Sequence, residues 1–296
     1  MVFRPPRLAP LLFGLGALLI ALALAVMGIM VLLETSVSLT SFFLGLWVFL
    51  LLVLATLTGW RTYCCWGLYY HLTRDALTIH WGHQRVVVPM AEAPHLIESR
   101  GKSIKWARGI HWYAYHVACG DVDRLGSTRF YATHLSPAHL TYLQAAGRSY
   151  GLSLENPRRF ARYLETCVAM GPLSRQKARI EEALLARLPL WRDRWALAMF
   201  MAAFLANLAL FAYLSLRYPH IPSFLSLHFS PSGQVDRVGL KLEIFKLPGM
   251  ALAVLGSNGL ASLVLHLKER YLALLALATA LLVQVLFWIA AVLIVT

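Results

Sequence analysis

Tyr70-His71-Leu72-Thr73-Arg74-Asp75-Ala76-Leu77-Thr78-Ile79-His80-Trp81-Gly82-His83-Gln84-Arg85-Val86-Val87-Val88-Pro89 is a run of short alternating segments in a chain otherwise dominated by long apolar ones. Tyr69–Leu72 and Ala76–Trp81 read as two strands joined by a Thr73-Arg74-Asp75 turn, and Gly82-His83 returns the chain into a third, Gln84–Pro89. Period-two alternation gives each strand one face for a core, with Leu77, Ile79 and Val87 predicted to fill it. Further along, Ile110–His116, Ser127–Thr133, Leu140–Gln144 and Ser149–Leu154 supply four more candidate strands. Helix follows. Asn156 is a good N-cap, Pro157 suits the first helical position, Phe160, Tyr163, Leu164 and Val168 recur at helical spacing, and Gly171-Pro172 stops it. The expected product is a bent antiparallel sheet closed by one C-terminal helix, burying Phe130, Phe160 and Leu164.

On either side the chain changes character. Apolar residues make up 59% of the sequence and the mean hydropathy is +0.62, above the roughly 45–50% apolar content of soluble domains. Leu8–Leu33, Leu39–Trp60, Trp195–Tyr218, Leu247–Leu267 and Tyr271–Val295 each reach the length of about 20 apolar residues that a spanning helix needs. The fold class expected is therefore an α-helical integral membrane protein of about five transmembrane helices, with an inserted cytoplasmic β domain closed by a helix. Leu8–Leu33 follows Arg4 and Arg7 as a signal peptide would, but a signal core runs only about 7–15 residues, so an uncleaved span is expected.

Lys and Arg set the orientation. Arg4 and Arg7 precede the first span, Arg61 and Arg74 follow the second, Arg187, Arg192 and Arg194 precede the third, and Lys268 and Arg270 sit between the last two. These place the N-terminus and the middle block in the cytoplasm, with the loop around His228 outside. Arg217, Arg237, Lys241 and Lys246 are discordant. Much of the net charge of +13 lies between Arg61 and Arg194, where 19 Lys and Arg face 10 Asp and Glu. Positive-inside topology explains that excess first, and attraction to anionic lipid headgroups second. No nucleic-acid module accompanies the charge, so no nucleic-acid partner is expected.

The expected organisation is a two-helix anchor over residues 1–60, the β domain over 61–171, an amphipathic connector over 172–194 and a three-helix membrane unit over 195–296. In the connector, Ile180, Leu184, Leu185 and Leu188 share one side, with Arg175, Lys177, Arg179 and Glu182 opposite. It could lie on the inner leaflet or pack on the β domain. Cys64, Cys65, Cys119 and Cys167 form no zinc or redox spacing, and adjacent Cys64 and Cys65 read as small packing residues. No metal site and no cofactor are expected. Gly101-Lys102-Ser103 imitates a phosphate loop, but Leu96 stands where its first glycine would be. Gly14 and Gly16 in the first span read as helix-packing positions.

Tyr70 to Gly82 with Val88-Pro89, then Phe130-Tyr131-Ala132-Thr133 and Leu152-Ser153-Leu154-Glu155-Asn156-Pro157-x-x-Phe160, resembles bacterial pleckstrin-homology (PH)-like domains over about Trp66–Met170. It departs from that group at Asn156-Pro157 and around Cys119–Arg124. Phosphoinositide-reading PH domains carry several basic residues at the first hairpin loop, whereas here Arg74 stands alone beside Asp75, so headgroup-specific binding is not expected. Arg100, Lys102, Lys105, Trp106 and Arg108 form a better membrane-contact candidate, weighed against a solvated basic loop.

His228-Phe229-x-x-x-Gly233-x-x-Asp236-x-x-Gly239-x-Lys241 resembles the loop of a membrane domain of unknown function shared with SdpI-like immunity proteins of bacteria, over about Trp195–Leu267. The resemblance implies a bacterial integral membrane protein in signalling or toxin protection, and implies no established enzyme activity. His228, Phe229, Gly233, Asp236 and Lys241 are the candidate ligand or partner loop, with an Asp236–Lys241 ion pair as the structural alternative. Asn207, Asn258 and Gln284 are intramembrane polar residues suited to joining helices, and His266 snorkels at a helix end. No His-Glu-x-x-His helix or Gly-x-Ser-x-Gly elbow is present. The expected function is non-enzymatic. The PH-like module scaffolds or senses at the inner face of the bacterial inner membrane, and the outer loop contacts an unidentified ligand or protein partner. A transporter or immunity factor is the first alternative, and a membrane enzyme using His228 and Asp236 the second.

Overall fold

The computed structural model of the chain describes residues 1–97, 102–112, 115–133, 140–145, 147–181, 189–229 and 235–295. In chain order the strands are β1 (Val2–Phe3), β2 (Tyr69–Leu72), β3 (Ala76–Trp81), β4 (Gln84–Pro89), β5 (His95–Ile97), β6 (Ile104–Trp112), β7 (Tyr115–Val122), β8 (Gly126–Ala132), β9 (Leu140–Ala145), β10 (Arg148–Ser153), β11 (Arg179–Glu181), β12 (Phe224–Phe229) and β13 (Val235–Leu240). The helices are α1 (Leu8–Glu34), α2 (Leu39–Trp66), α3 (Pro157–Met170), α4 (Arg194–Arg217), α5 (Lys246–Leu265) and α6 (Arg270–Val295). Five of them, all but α3, belong to segments long and apolar enough to cross a membrane. The chain divides into two compact units, Met1–Ala23 with Leu51–Ala183, and Leu24–Leu50 with Leu184–Thr296.

The first unit contains two sheets. One runs β1-β2-β3-β4-β11 and the other β5-β9-β10-β8-β7-β6. Pairing is antiparallel except between β10 and β8. The three strands read from Tyr70–Pro89 form as expected, in a register that sets Ile79 opposite both Tyr70 and Val86. Leu77, Ile79, Phe130, Phe160 and Leu164 are buried as predicted, and so is Val87, although it lies outside the main cluster that contains Val86 and Val88. Helix α3 begins as expected, with the Asn156 side chain accepting from the Arg159 amide at 3.1 Å.

Three readings are corrected. Ile110–His116 is not one strand: β6 runs to Trp112 and β7 from Tyr115, and the two pair antiparallel with Trp112 opposite Tyr115. Arg179–Glu181 is extended and pairs with β4 instead of continuing a helical face, and Ile180 packs against the core. The rest of the predicted amphipathic face, residues 182–188, lies outside the described residues. The third correction concerns the boundary. Val2–Phe3, which precedes the first span, pairs with Tyr70 and His71, and Phe3 buries its ring edge-on against Phe160 at 5.0 Å. The β domain therefore begins before the helical pair α1–α2 and resumes after it.

That pair is fixed to the sheet at several points. Gly82 takes the turn between β3 and β4 with a φ of 53°, which glycine adopts without a Cβ penalty. An added Cβ there would also meet the Cys64 sulfur at 2.7 Å, so the turn sits directly on the end of α2. His83, next in the turn, stacks on Trp60 with ring centroids 5.3 Å apart and planes 5° from parallel. Arg7 donates to the Trp66 carbonyl and lies over its ring. Gly14 allows close approach of Thr62, as expected of a packing glycine, whereas Gly16 faces open space.

Tyr70 joins the two sheets. Its buried hydroxyl donates to the Tyr131 carbonyl at 2.6 Å and accepts from the Ser153 amide at 3.2 Å. Tyr70→Phe keeps the ring but removes both hydrogen bonds between the sheets, and should lower the stability of the β domain by about 1–3 kcal/mol. Denaturant unfolding followed at the β signal checks this, and an unchanged midpoint would rule the bridge out as a stabilising element.

Candidate functional site

The loop between β2 and β3 is where a headgroup-reading PH domain would gather basic residues. Here Arg74 is already engaged. Its Nε donates to the Gly171 carbonyl and its Nη2 to the Met170 carbonyl, both at 2.7 Å, so it satisfies carbonyls left open where α3 ends. Asp75 accepts from the Leu173 amide at 2.7 Å and from the Ser174 amide and hydroxyl at 3.0 Å. The Ser174 amide leads the interactions that hold its carboxyl below the usual range. Both side chains tie the loop to the segment after α3.

The second candidate surface lies on β6. Lys105, Trp106 and Arg108 are placed there and Lys102 just before it, while Arg100 falls outside the described residues. A register shift between Ile104 and Trp106 bulges the strand at Lys105, whose ammonium lies 3.0 Å from Asp123 and 3.9 Å from Asp121. The Lys105 ammonium is also the leading cause of a lowered Asp123 carboxyl. The charge of Lys105 is thus locally balanced. Trp106 remains 54% exposed and Arg108 is exposed two residues on, so this pair carries the contact capacity of the strand.

In the three-helix unit, Asn207 and Gln284 meet as expected of polar groups between helices. The Asn207 amide donates to Gln284 Oε1 at 3.1 Å and to the Pro248 carbonyl at 3.0 Å, and Gln284 donates to the Ala251 carbonyl at 2.9 Å. This stitches α4, α5 and α6 with both residues buried. Asn258 behaves differently, donating to the Val254 carbonyl of its own helix at 2.9 Å.

The loop motif falls on β12 and β13, which pair antiparallel with His228 opposite Arg237. Gly233 lies outside the described residues, as do the side chains of His228, Phe229 and Asp236, so the predicted Asp236–Lys241 pair falls there too. Lys241 is described. Its ammonium sits over the Tyr218 ring at 4.6 Å, and its amide donates to the Ser223 carbonyl at 3.1 Å. These contacts fasten the end of the hairpin to the end of α4.

One polar cluster escaped the reading of the sequence. Asp193 caps α4 through the Trp195 and Ala196 amides, takes Arg270 in a two-point ion pair at 2.6 and 3.2 Å, and lies 3.2 Å from His266 Nε2. His266 is therefore buried in a network, not snorkelling. Only the rule that Ser, Thr, Asp or Asn precedes a helix could have marked Asp193 beforehand. Among the described residues no group of three or more His, Cys, Asp and Glu could hold a metal ion.

No curated protein and no solved structure matches the chain. Residues 68–167 match a family model described as a bacterial PH domain, nearly the whole stretch from β2 to α3. The match supports the PH-like part of the resemblance, and with five helices long and apolar enough to cross a membrane it suggests a membrane-associated scaffold role for a chain whose β-rich region is similar to bacterial PH domains.

Proposed function

We propose that this chain is a non-enzymatic scaffold or sensor of the bacterial inner membrane. Its PH-like module faces the cytoplasm, and its three-helix unit presents the β12–β13 hairpin on the other side to a ligand or protein partner, in the manner the resemblance to SdpI-like proteins implies. The observation that carries the reading is how the module is attached. The Gly82-His83 turn sits on the end of α2, β1 leads into α1, and Arg74 is engaged in structure. A module built onto its own membrane anchor needs no headgroup affinity for recruitment, which leaves Trp106 and Arg108 free for a partner.

The test places a photo-crosslinking amino acid at Arg108 in the full chain, in native membranes. Discrete protein adducts are expected, and adducts with lipid alone would overturn the scaffold reading. Sidedness is checked in a Cys-free background with an impermeant thiol reagent: Ser232→Cys should label and Ser127→Cys should be protected, and the reverse would sink the orientation. His228→Gln keeps hydrogen-bonding capacity without acid–base chemistry near neutral pH, so partner capture should survive it and fail in His228→Leu. A membrane enzyme using His228 would instead lose all activity in His228→Gln at normal expression.

A further inference from the structure

We propose that a cavity beside the start of α1 holds the headgroup of a bilayer lipid that carries both a phosphate and a primary ammonium, as phosphatidylethanolamine does. The cavity, of about 350 Å³, lies within the first unit, lined by Met1–Arg4 and by Glu155, Asn156 and Arg159 where α3 begins. It is separate from the β2–β3 loop, where Arg74 and Asp75 are engaged in structure.

Packing fixes both segments. Phe3 sits edge-on to Phe160 at 5.0 Å, and the Glu155 amide donates to the Arg4 carbonyl at 3.4 Å. Asn156 already caps α3, so the charge of the site comes from side chains. Arg4, Glu155 and Arg159 are exposed, and among the described residues none of the three makes a side-chain hydrogen bond or ion pair. Two guanidinium groups and one carboxylate around one cavity define the ligand by complementarity. A phosphate takes the parallel N–H donors of the arginines, and a primary ammonium donates to Glu155. Inorganic phosphate would meet the arginines but leave the Glu155 charge opposed. The trimethylammonium of phosphatidylcholine has no N–H, and phosphatidylglycerol offers Glu155 only a neutral hydroxyl.

Position favours a lipid over a soluble molecule with the same two charges. Arg4 lies four residues before Leu8, where α1 begins, so even an extended chain keeps it within about 14 Å of that helix start. Helix α1 is long and apolar enough to cross a membrane, and the headgroup layer adds about 5–7 Å beyond the hydrocarbon on each side. A lipid packed against α1 therefore presents its headgroup within a few residues' reach of Arg4. Bound there, it would set how the module rests on the bilayer, not whether it is recruited.

The experiment uses the full chain in detergent with equimolar phosphatidylethanolamine, phosphatidylcholine and phosphatidylglycerol of identical chains, and native mass spectrometry reads which lipid is retained. Phosphatidylethanolamine should be favoured over each of the others by about two- to fivefold, the scale of one exposed ion pair. Glu155→Gln should erase the preference. Arg159→Gln and Arg4→Gln should each weaken retention of all three lipids, whereas Arg175→Gln, an exposed charge beyond the far end of α3, should change nothing. Equal retention of phosphatidylethanolamine and phosphatidylcholine in the parent chain would overturn the proposal, as would an Arg175→Gln loss matching that of Arg159→Gln. A Glu155→Gln chain that melts lower with its preference intact would also overturn it, making Glu155 a partner of Arg4 instead. Glycerophosphoethanolamine, the headgroup without chains, should compete only in large excess. Full competition at equal concentration would overturn the assignment to a lipid.

Discussion

Phe160→Ala should destabilise the PH-like domain by about 3–5 kcal/mol, the usual loss for a large aromatic cut from a closed core. Phe160 is fully buried in the main cluster of the first unit and touches residues from both sides of the helical pair, Phe3 among them. Phe3→Ala should therefore approach the same loss, although its residue stands far from the matched region in sequence. A soluble form would carry residues 1–7 joined by a short Gly/Ser linker to residues 66–181, and should fold cooperatively. Residues 66–170 alone leave the Phe160 ring without Phe3 and β4 without β11, and should be markedly less stable. Equal unfolding midpoints for the two forms would show that β1 and β11 contribute nothing.

Asp193→Ala should lower the melting temperature of the three-helix unit through a loss of about 2–4 kcal/mol, combining a helix cap with a charge-assisted ion pair. Its side chain is 6% exposed, so little water can replace Arg270. The pH dependence has a definite sign. The Arg270 guanidinium, followed by His266 and the helix amides, holds the Asp193 carboxyl well below the ordinary carboxylate range. The contribution is then complete above the unfolded value of about 3.9, and is lost as pH falls below it toward the depressed folded value. Melting of the full chain between about pH 6 and pH 3 should fall more steeply than in Asp193→Asn. Parallel curves would remove Asp193 from the account.

The five long helices were legible because hydrocarbon length and hydropathy leave few alternatives, and β2–β4 because alternation and a Gly82 turn coincide. The β6–β7 turn was not, since Ile110-His111-Trp112-Tyr113-Ala114-Tyr115-His116 contains no Gly, Pro, Asn or Asp to mark a reversal. β1 is two residues before Pro5-Pro6, too short for any period to register, and only the distant β2 makes it a strand. β11 carries a spacing that fits a helix face, and the open edge of β4 overrides it. At the sites, Asn207 and Gln284 stood out as polar residues among apolar ones. The partners of Asp193 lie 73 and 77 residues away, a separation no local pattern encodes.

The order in which the ribosome releases these pieces gives β1 a further role. Phe3 emerges first, yet Tyr70 and Phe160, which receive it, emerge only after α1 and α2 have been made. Where the pair enters a bilayer, Val2–Phe3 would wait beside it until β2 and α3 are made. Once the sheet closes, Val2–Phe3 before α1 and Tyr70-His71 after α2 are paired in one folded domain, which would hold both ends of the pair on one face of a membrane. An inverted pair would have to carry Val2–Phe3 to the opposite side and leave the core open. Folding of the β domain would thus proofread the insertion of the helices encoded within it.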